Sequence, residues 1–186
     1  MKPEVITVGL GYIGLPTSAL IASNNTNVLG VDINQGVVDT INQGKIHIIE
    51  PDLEAIVSKA VSDGFLKAST KPTSADVFLI VVPTPFKANH EPDISFVEAA
   101  TTGIIPLLKK GDLYIIESTS PIGTTEKMEK LIYTTRPELK DEIYVAYCPE
   151  RVLPGNVMHE LIENDRVIGG VNEASTQKAI SFYRKY

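Results

Sequence analysis

Val5-Ile6-Thr7-Val8-Gly9-Leu10-Gly11-Tyr12-Ile13-Gly14 is the stretch from which the fold of this chain can be read. Its first four residues are β-branched and mostly apolar, the composition of a buried strand. Glycines at 9, 11 and 14 then make a G-x-G-x-x-G turn, and residues from Tyr12 to Ser23 read as a helix. In a strand–turn–helix unit of this kind each glycine has its own reason. The first permits a tight turn, the second lets backbone approach a pyrophosphate, and the third lets helix and strand pack closely. The helix N-terminus adds unpaired N–H groups and a partial positive charge.

The next apolar run, Val28–Val31, ends at Asp32, eighteen residues beyond Gly14. A carboxylate at that place accepts hydrogen bonds from the ribose hydroxyls of an adenosine and repels a 2′-phosphate. Ile33, Asn34 and Gln35 supply no arginine to hold such a phosphate, so the reading is NAD rather than NADP. The glycine pattern alone is common; the strand before it, the helix after it and the acid at the next strand's end give it weight. The plain alternative is a glycine-rich turn without a ligand and an ordinary surface Asp.

Outward from this unit, short apolar runs keep alternating with helical stretches. A helix from Asn34 carries Val37, Val38 and Ile41 on one face and stops at Gly44. Asp52 is read as the cap of a further helix, closed by Gly64. Leu66–Ser69 reads as a short strand, and Val77–Val82 as a strand buried on both faces. Ile94–Lys110 reads as helix, Leu113–Ile116 as strand and Thr124–Thr135 as helix. Ile143–Tyr147 and Arg166–Ile168 read as strands, with a last helix running from Glu173 to Tyr186. The alternation predicts an α/β fold: a doubly wound, mostly parallel sheet with helices on both faces.

The 186 residues suit one domain, here 1–186, with 43% hydrophobic residues and a net charge of −6. An acidic chain without a basic run argues against nucleic acid or an anionic membrane as partner. Val5–Ser23 carries no charge, but Glu4 precedes it and Gly9, Gly11, Gly14 and Pro16 interrupt it, which does not suit a secretory leader. No run approaches the ~20 apolar residues of a membrane span. The single Cys148 cannot pair within the chain, so a reducing cytoplasm is the expected location.

Three loops follow strand ends, where open α/β sheets bind ligands. Thr84, between Pro83 and Pro85, offers a hydroxyl from a stiff turn. In Glu117–Glu126 the hydroxyls crowd together, with Thr125 near a helix start, where capping is the plainer role. In Cys148–Gly155, Arg151 suits a phosphate and Glu150 a water or sugar hydroxyl, while a surface ion pair is the plainer reading of Arg151. Cys148, between Tyr147 and Pro149 and with no His nearby in sequence, reads as a buried structural thiol. His47, His90 and His159 have no metal-ligand spacing, so no metal is expected.

Taken together, GLGYIGLP (9–16), VDIN (31–34), IHIIEP (46–51), VPTPF (82–86), HEPD (90–93), ESTSPIGTTE (117–126), AYCPERVLPG (146–155) and NDRVIGG (164–170) resemble the amino-terminal domain of the UDP-glucose/GDP-mannose dehydrogenase family, spread over nearly the whole chain. ESTSP, CPERVLPG and NDRVIGG resemble its N-acetylmannosamine branch more than its UDP-glucose branch. The resemblance implies a Rossmann-like NAD-binding domain of an oxidoreductase that turns the C6 alcohol of a UDP-sugar into a carboxylate in two NAD-dependent steps. A cysteine holds the intermediate aldehyde as a thiohemiacetal and then a thioester, which water releases.

It also implies roles by position. Tyr12, Ile13, Asp32, Thr84 and Thr125, with Gly9, Gly11 and Gly14, face NAD; Arg151 and Val152 face the sugar nucleotide; Thr119 and Glu150 position the water and the reacting sugar. The UDP-glucose branch has a second glutamate where this chain has Pro154, so the resemblance implies that water activation is organised differently here. The nucleophilic Cys, a catalytic Lys and Asn, the central helix and the UDP-sugar domain belong to family positions beyond 186. The expectation is therefore that these residues bind NAD but are inactive alone, monomeric as a fragment and a homodimer at full length. Rival readings are a UDP-glucose or UDP-N-acetylglucosamine dehydrogenase, or a non-catalytic NAD-sensing domain.

Overall fold

The structure, a computed structural model, describes residues 2–186. Among them seven strands form one sheet: β1 (Val5–Val8), β2 (Val28–Val31), β3 (Leu66–Ser69), β4 (Val77–Ile80), β5 (Leu113–Ile116), β6 (Tyr144–Tyr147) and β7 (Gly169–Gly170). Their order is β3-β2-β1-β4-β5-β6-β7. The first six are parallel, with β1 in register between β2 and β4 (Val5 opposite Val28 and Val77), and β7 runs antiparallel to β6. The chain steps outward from β1 to β3, then crosses back to β4 on the other side of β1. That reversal leaves a crevice above the carboxyl ends of β1 and β4, where such sheets take ligands.

Neighbouring residues of a strand point to opposite faces, so each strand feeds two cores. Val5 and Leu79 join one core with Leu15, Leu53, Val57 and Phe182. Ile6, Phe78 and Ile80 join the other with Ile104, Met128 and Ile132. The first core is covered by α1 (Gly14–Ser23), α2 (Gln35–Asn42), α3 (Leu53–Ser62), α6 (Val157–Glu163) and α7 (Glu173–Tyr183). The second is covered by α4 (Ser95–Ile104) and α5 (Thr124–Thr135). Burial of β1, β4 and β5 under both layers explains why they lack the apolar–polar alternation of a half-exposed strand. The expected doubly wound fold is the observed one.

Six local expectations need correction. The helix read from Ile94 to Lys110 ends at Ile104 and passes into a 3-10 turn, because Pro106 has no N–H to continue the ladder. Arg166–Ile168 is not a strand; pairing begins at Gly169, and the Arg166 side chain turns inward instead. Asp52 stands at the cap position of α3 but is left-handed (φ 62°), and its side chain makes no capping bond. The turn from Gly11 delays α1 to Gly14, and β4 ends at Ile80 rather than Val82. Finally, α6 occupies a stretch for which the apolar pattern predicts no element. Among the described residues no helix is long and apolar enough to cross a membrane.

Candidate functional site

The glycine turn divides its three glycines by physical need. Gly9 is left-handed (φ 97°), and a Cβ there would stand 2.3 Å from the Val81 carbonyl oxygen. A Cβ on Gly14 would stand 1.8 Å from the Gly9 carbonyl oxygen. Both are therefore required by the protein itself. A Cβ on Gly11 would meet nothing within 4 Å. No packing need explains this glycine, and open space over the mouth of α1 is what a pyrophosphate approaching the backbone requires.

Asp32 closes the same turn from β2. Its Oδ2 accepts from the Leu10 amide at 3.0 Å and its Oδ1 from the Asn34 amide at 2.9 Å, so both oxygens are aimed and each keeps a free lone pair. Beside it, between β2, β4 and α4, lies a cavity of about 470 Å³ whose walls include Val8, Val31, Ile33, Val82 and Ile104. Ile33 is 95% exposed at its rim, an apolar side chain with no protein partner above it. An apolar slot beside a half-buried, aimed carboxylate has the chemistry that an adenine and its ribose require, so the residues present fit a dinucleotide.

On the other side of the crevice the loops are pinned rather than loose. Ser118 Oγ accepts from the Val82 amide at 2.9 Å and donates to the Val82 carbonyl at 2.7 Å, which ties the end of β5 to the turn that carries Thr84. Thr84 is half-buried and Thr119 exposed. Thr125 lies inside the first turn of α5 and does not cap it; the neighbouring Thr124 bonds the Pro121 carbonyl at 2.8 Å. Thr125 opens on a separate hollow of about 270 Å³ between Ser120–Glu126 and Gly169–Val171. Tyr12 is exposed and Ile13 half-buried at the start of α1.

After β6 the chain is held by carboxylates. Glu50, buried, accepts from the Gly155 amide at 2.8 Å and the Val157 amide at 2.6 Å. It thus anchors the Arg151–Gly155 loop from a segment more than 100 residues away. Glu160 Oε2 takes the Leu153 amide at 2.8 Å. Arg151 is exposed and Val152 half-buried on this loop. Glu150 is not a free surface acid: its Oε2 accepts from Arg166 Nη1 at 3.1 Å and its Oε1 from the Arg151 amide at 3.0 Å.

Beneath that ion pair lies Glu117, 1% exposed at the end of β5. Tyr183 Oη of α7 donates to its Oε1 at 2.5 Å, and its Oε2 has no partner. Burial above all pushes the Glu117 carboxyl up to about 7, with Glu150 raising it further and Tyr183 and Arg166 opposing. Tyr183 is pushed well above its ordinary value by burial and by Glu117, so it remains the donor. Cys148 is fully buried, as expected, and burial with the nearby Glu117 lifts its thiol to about 11. A thiol so placed is no nucleophile at neutral pH. Glu117, Arg166 and Tyr183 do not stand out in the sequence; the one available signal was a charged residue directly continuing the buried run Leu113–Ile116.

Over residues 3–186 the sequence matches the UDP-glucose/GDP-mannose dehydrogenase family, NAD binding domain. The chain belongs to that family. The dehydrogenase-family domain is 55% identical over 188 residues to the UDP-N-acetyl-D-mannosamine dehydrogenase of Escherichia coli K12, covering 97% of this chain and 45% of that protein. It is 53% identical over 190 residues to the NDP-N-acetyl-D-galactosaminuronic acid dehydrogenase of Ralstonia nicotianae, covering 98% and 45%. The native structure of the UDP-N-acetyl-mannosamine dehydrogenase of Staphylococcus aureus superposes with a TM-score of 0.93 at 43% identity, covering 98% of this chain and 45% of that one. The chain thus spans about 45% of the length of these relatives. Its cofactor is NAD, as the glycine turn and Asp32 had indicated.

Proposed function

We propose that this domain is the NAD-binding part of a UDP-N-acetyl-D-mannosamine dehydrogenase, which oxidises the sugar's C6 alcohol to the uronate. The observation that carries the reading is the coincidence, at the carboxyl edge of one sheet, of a glycine no packing requires, an aimed Asp32 and a loop bearing Glu150 and Arg151. The named relative at 55% identity supports the choice of sugar.

When bound, NAD accepts the hydride lost by the sugar carbon. The chain's own part is to bind and orient. Gly9, Gly11 and Gly14 with Tyr12 and Ile13 seat the pyrophosphate, Asp32 the adenosine ribose, and Thr84 and Thr125 the nicotinamide half. Arg151 and Val152 hold the sugar nucleotide from a loop stiffened by Glu50. Thr119 and Glu150 place the water and the reacting sugar. Because Cys148 is buried and its thiol raised, the nucleophile has to come from outside these 186 residues, as does the rest of the UDP-sugar site. Residues 1–186 bind NAD and do not complete the oxidation alone. The full-length protein works as a cytoplasmic homodimer, this part by itself as a monomer, and neither binds nucleic acid.

The test is NADH formation by the full-length protein on a panel of UDP-sugars. The expected result is turnover of UDP-N-acetyl-D-mannosamine ahead of UDP-glucose and UDP-N-acetylglucosamine. A second reading, oxidation of an N-acetylgalactosamine-type nucleotide, is favoured by the 53% identical Ralstonia relative and is decided by the same panel. Saturable NAD binding without turnover of any UDP-sugar would instead leave an NAD-sensing domain.

A further inference from the structure

The cluster around Glu117 has no part in the function proposed above, yet it touches Glu150 at every level. The Glu150 amide donates to the Glu117 carbonyl at 3.3 Å, so the two residues are backbone neighbours across β5 and β6. Arg166 reaches both of their surroundings: it bonds Glu150 Oε2 and lies over the Tyr183 ring, its guanidinium carbon 4.7 Å from the ring centre. A second Arg166 nitrogen, Nη2, is fixed on the Leu161 carbonyl at 3.2 Å, so the guanidinium does not swing freely. Tyr183 in turn donates to Glu117. The groups that face Glu117 are therefore Tyr183 from α7, Arg166 from the segment before β7, and Cys148 and Glu150 from the end of β6. Of the two carboxyls Arg166 pairs with that of Glu150 and meets Glu117 only by way of the Tyr183 ring, in a site from which water is nearly excluded, and one carboxyl oxygen, Glu117 Oε2, is left without a partner.

We propose that Glu117 and Arg166 are positioning residues that set the orientation of Glu150. Arg166 holds the Glu150 carboxylate, and Glu117, anchored by Tyr183, gains or loses one proton that decides how firmly Arg166 holds it. With Glu117 protonated, one cation faces one anion, and Glu150 is held in place by Arg166. With Glu117 ionised, its proton having passed to bulk water, one cation faces two anions. The hold on Glu150 is then weaker, and its side chain is freer to turn toward a substrate. This proposal rests on the reading of Glu150 as a residue of the reaction site.

Infrared spectroscopy of the full-length protein, titrated from about pH 5 to about pH 9, tests the coupling without substrate. A carbonyl band of a buried protonated acid is expected, absent from Glu117→Gln and lost with a midpoint near 7 in the native protein. Glu150→Gln removes an anion and frees Arg166, so the midpoint is expected to fall by about one pH unit. The second arm is the pH profile of kcat on the UDP-sugar that is turned over. The native rate should rise through the same midpoint. In Glu117→Gln that rise should vanish and the rate at alkaline pH fall roughly tenfold, with KM little changed. A purely structural role would not move the profile.

A midpoint unmoved by Glu150→Gln, or a Glu117→Gln enzyme with the native profile, overturns the proposal. If no UDP-sugar is turned over while the band shifts as expected, the enzymatic reading falls and the coupling of the two carboxyls stands.

Discussion

Two regions of the same sheet edge are built on opposite principles. Above β1 and β2 the site is made of backbone: glycines, amide groups, one carboxylate fixed by two amides, and an apolar slot. Above β5 and β6 it is made of ionisable side chains, Glu117, Glu150, Arg166 and Tyr183, packed where water is scarce. The first region carries little that can titrate and offers a fixed surface to a cofactor. The second stores charge, so its state depends on pH and on each partner. Binding a dinucleotide needs shape, whereas a cluster of buried charges depends on where each proton sits.

The largest effect expected is on the shape-built region. Gly14→Ala drives a methyl group into the Gly9 carbonyl and should cost roughly 4 kcal/mol or more, measured by urea unfolding. Survival of native stability would show that the turn is not packed in this way.

The charge-built region should respond to pH instead. Glu117 has an ordinary carboxylate value when unfolded and about 7 when folded, so the native state holds a proton that the unfolded chain has released between those values. Stability should be greatest below that window, fall as pH rises through it and stay lower above it, by roughly 3 kcal/mol in all. In Glu117→Gln this part of the slope should disappear from pH-dependent unfolding curves.

Gly11→Ala separates the two demands on one turn. Stability should change by no more than about 0.5 kcal/mol, since nothing surrounds the new methyl, while NAD affinity falls roughly 100-fold by calorimetry. Equal loss of both would refute a ligand reason for this glycine. Asp32→Asn should weaken NAD roughly tenfold and narrow its advantage over NADP, because the repelling charge is gone.

The most local effect is expected at Glu50→Gln, which keeps the size but loses the charge that holds the Gly155 and Val157 amides. A loss of about 1–2 kcal/mol should show as faster hydrogen exchange at those two amides, with the β1 and β2 amides unchanged.

Legibility follows the same division. The glycine turn and Asp32 can be read because each is tied to its neighbours within a few residues, and strand periodicity places them on the same edge. Pro106 is legible too: it ends α4, and only the strength of the surrounding apolar pattern hides it. The Arg166–Ile168 run looks like a strand because Val167 and Ile168 are β-branched, but the bond from Arg166 to Glu150 holds this stretch ahead of the pairing. Glu50 stands in the IHIIEP motif without a legible role, since its partners lie beyond 150 in the chain.

The α/β alternation, the parallel sheet, the dinucleotide turn and the preference for NAD were settled at the level of sequence, because they depend on residues close together and on the period of the apolar pattern. Tertiary packing alone settled which carboxylates are buried, which amides Glu50 caps and that Arg166 pairs with Glu150 while lying over the Tyr183 ring. Residues 117, 150, 166 and 183 lie on four separate segments, and their charges acquire meaning only when packing removes the water between them.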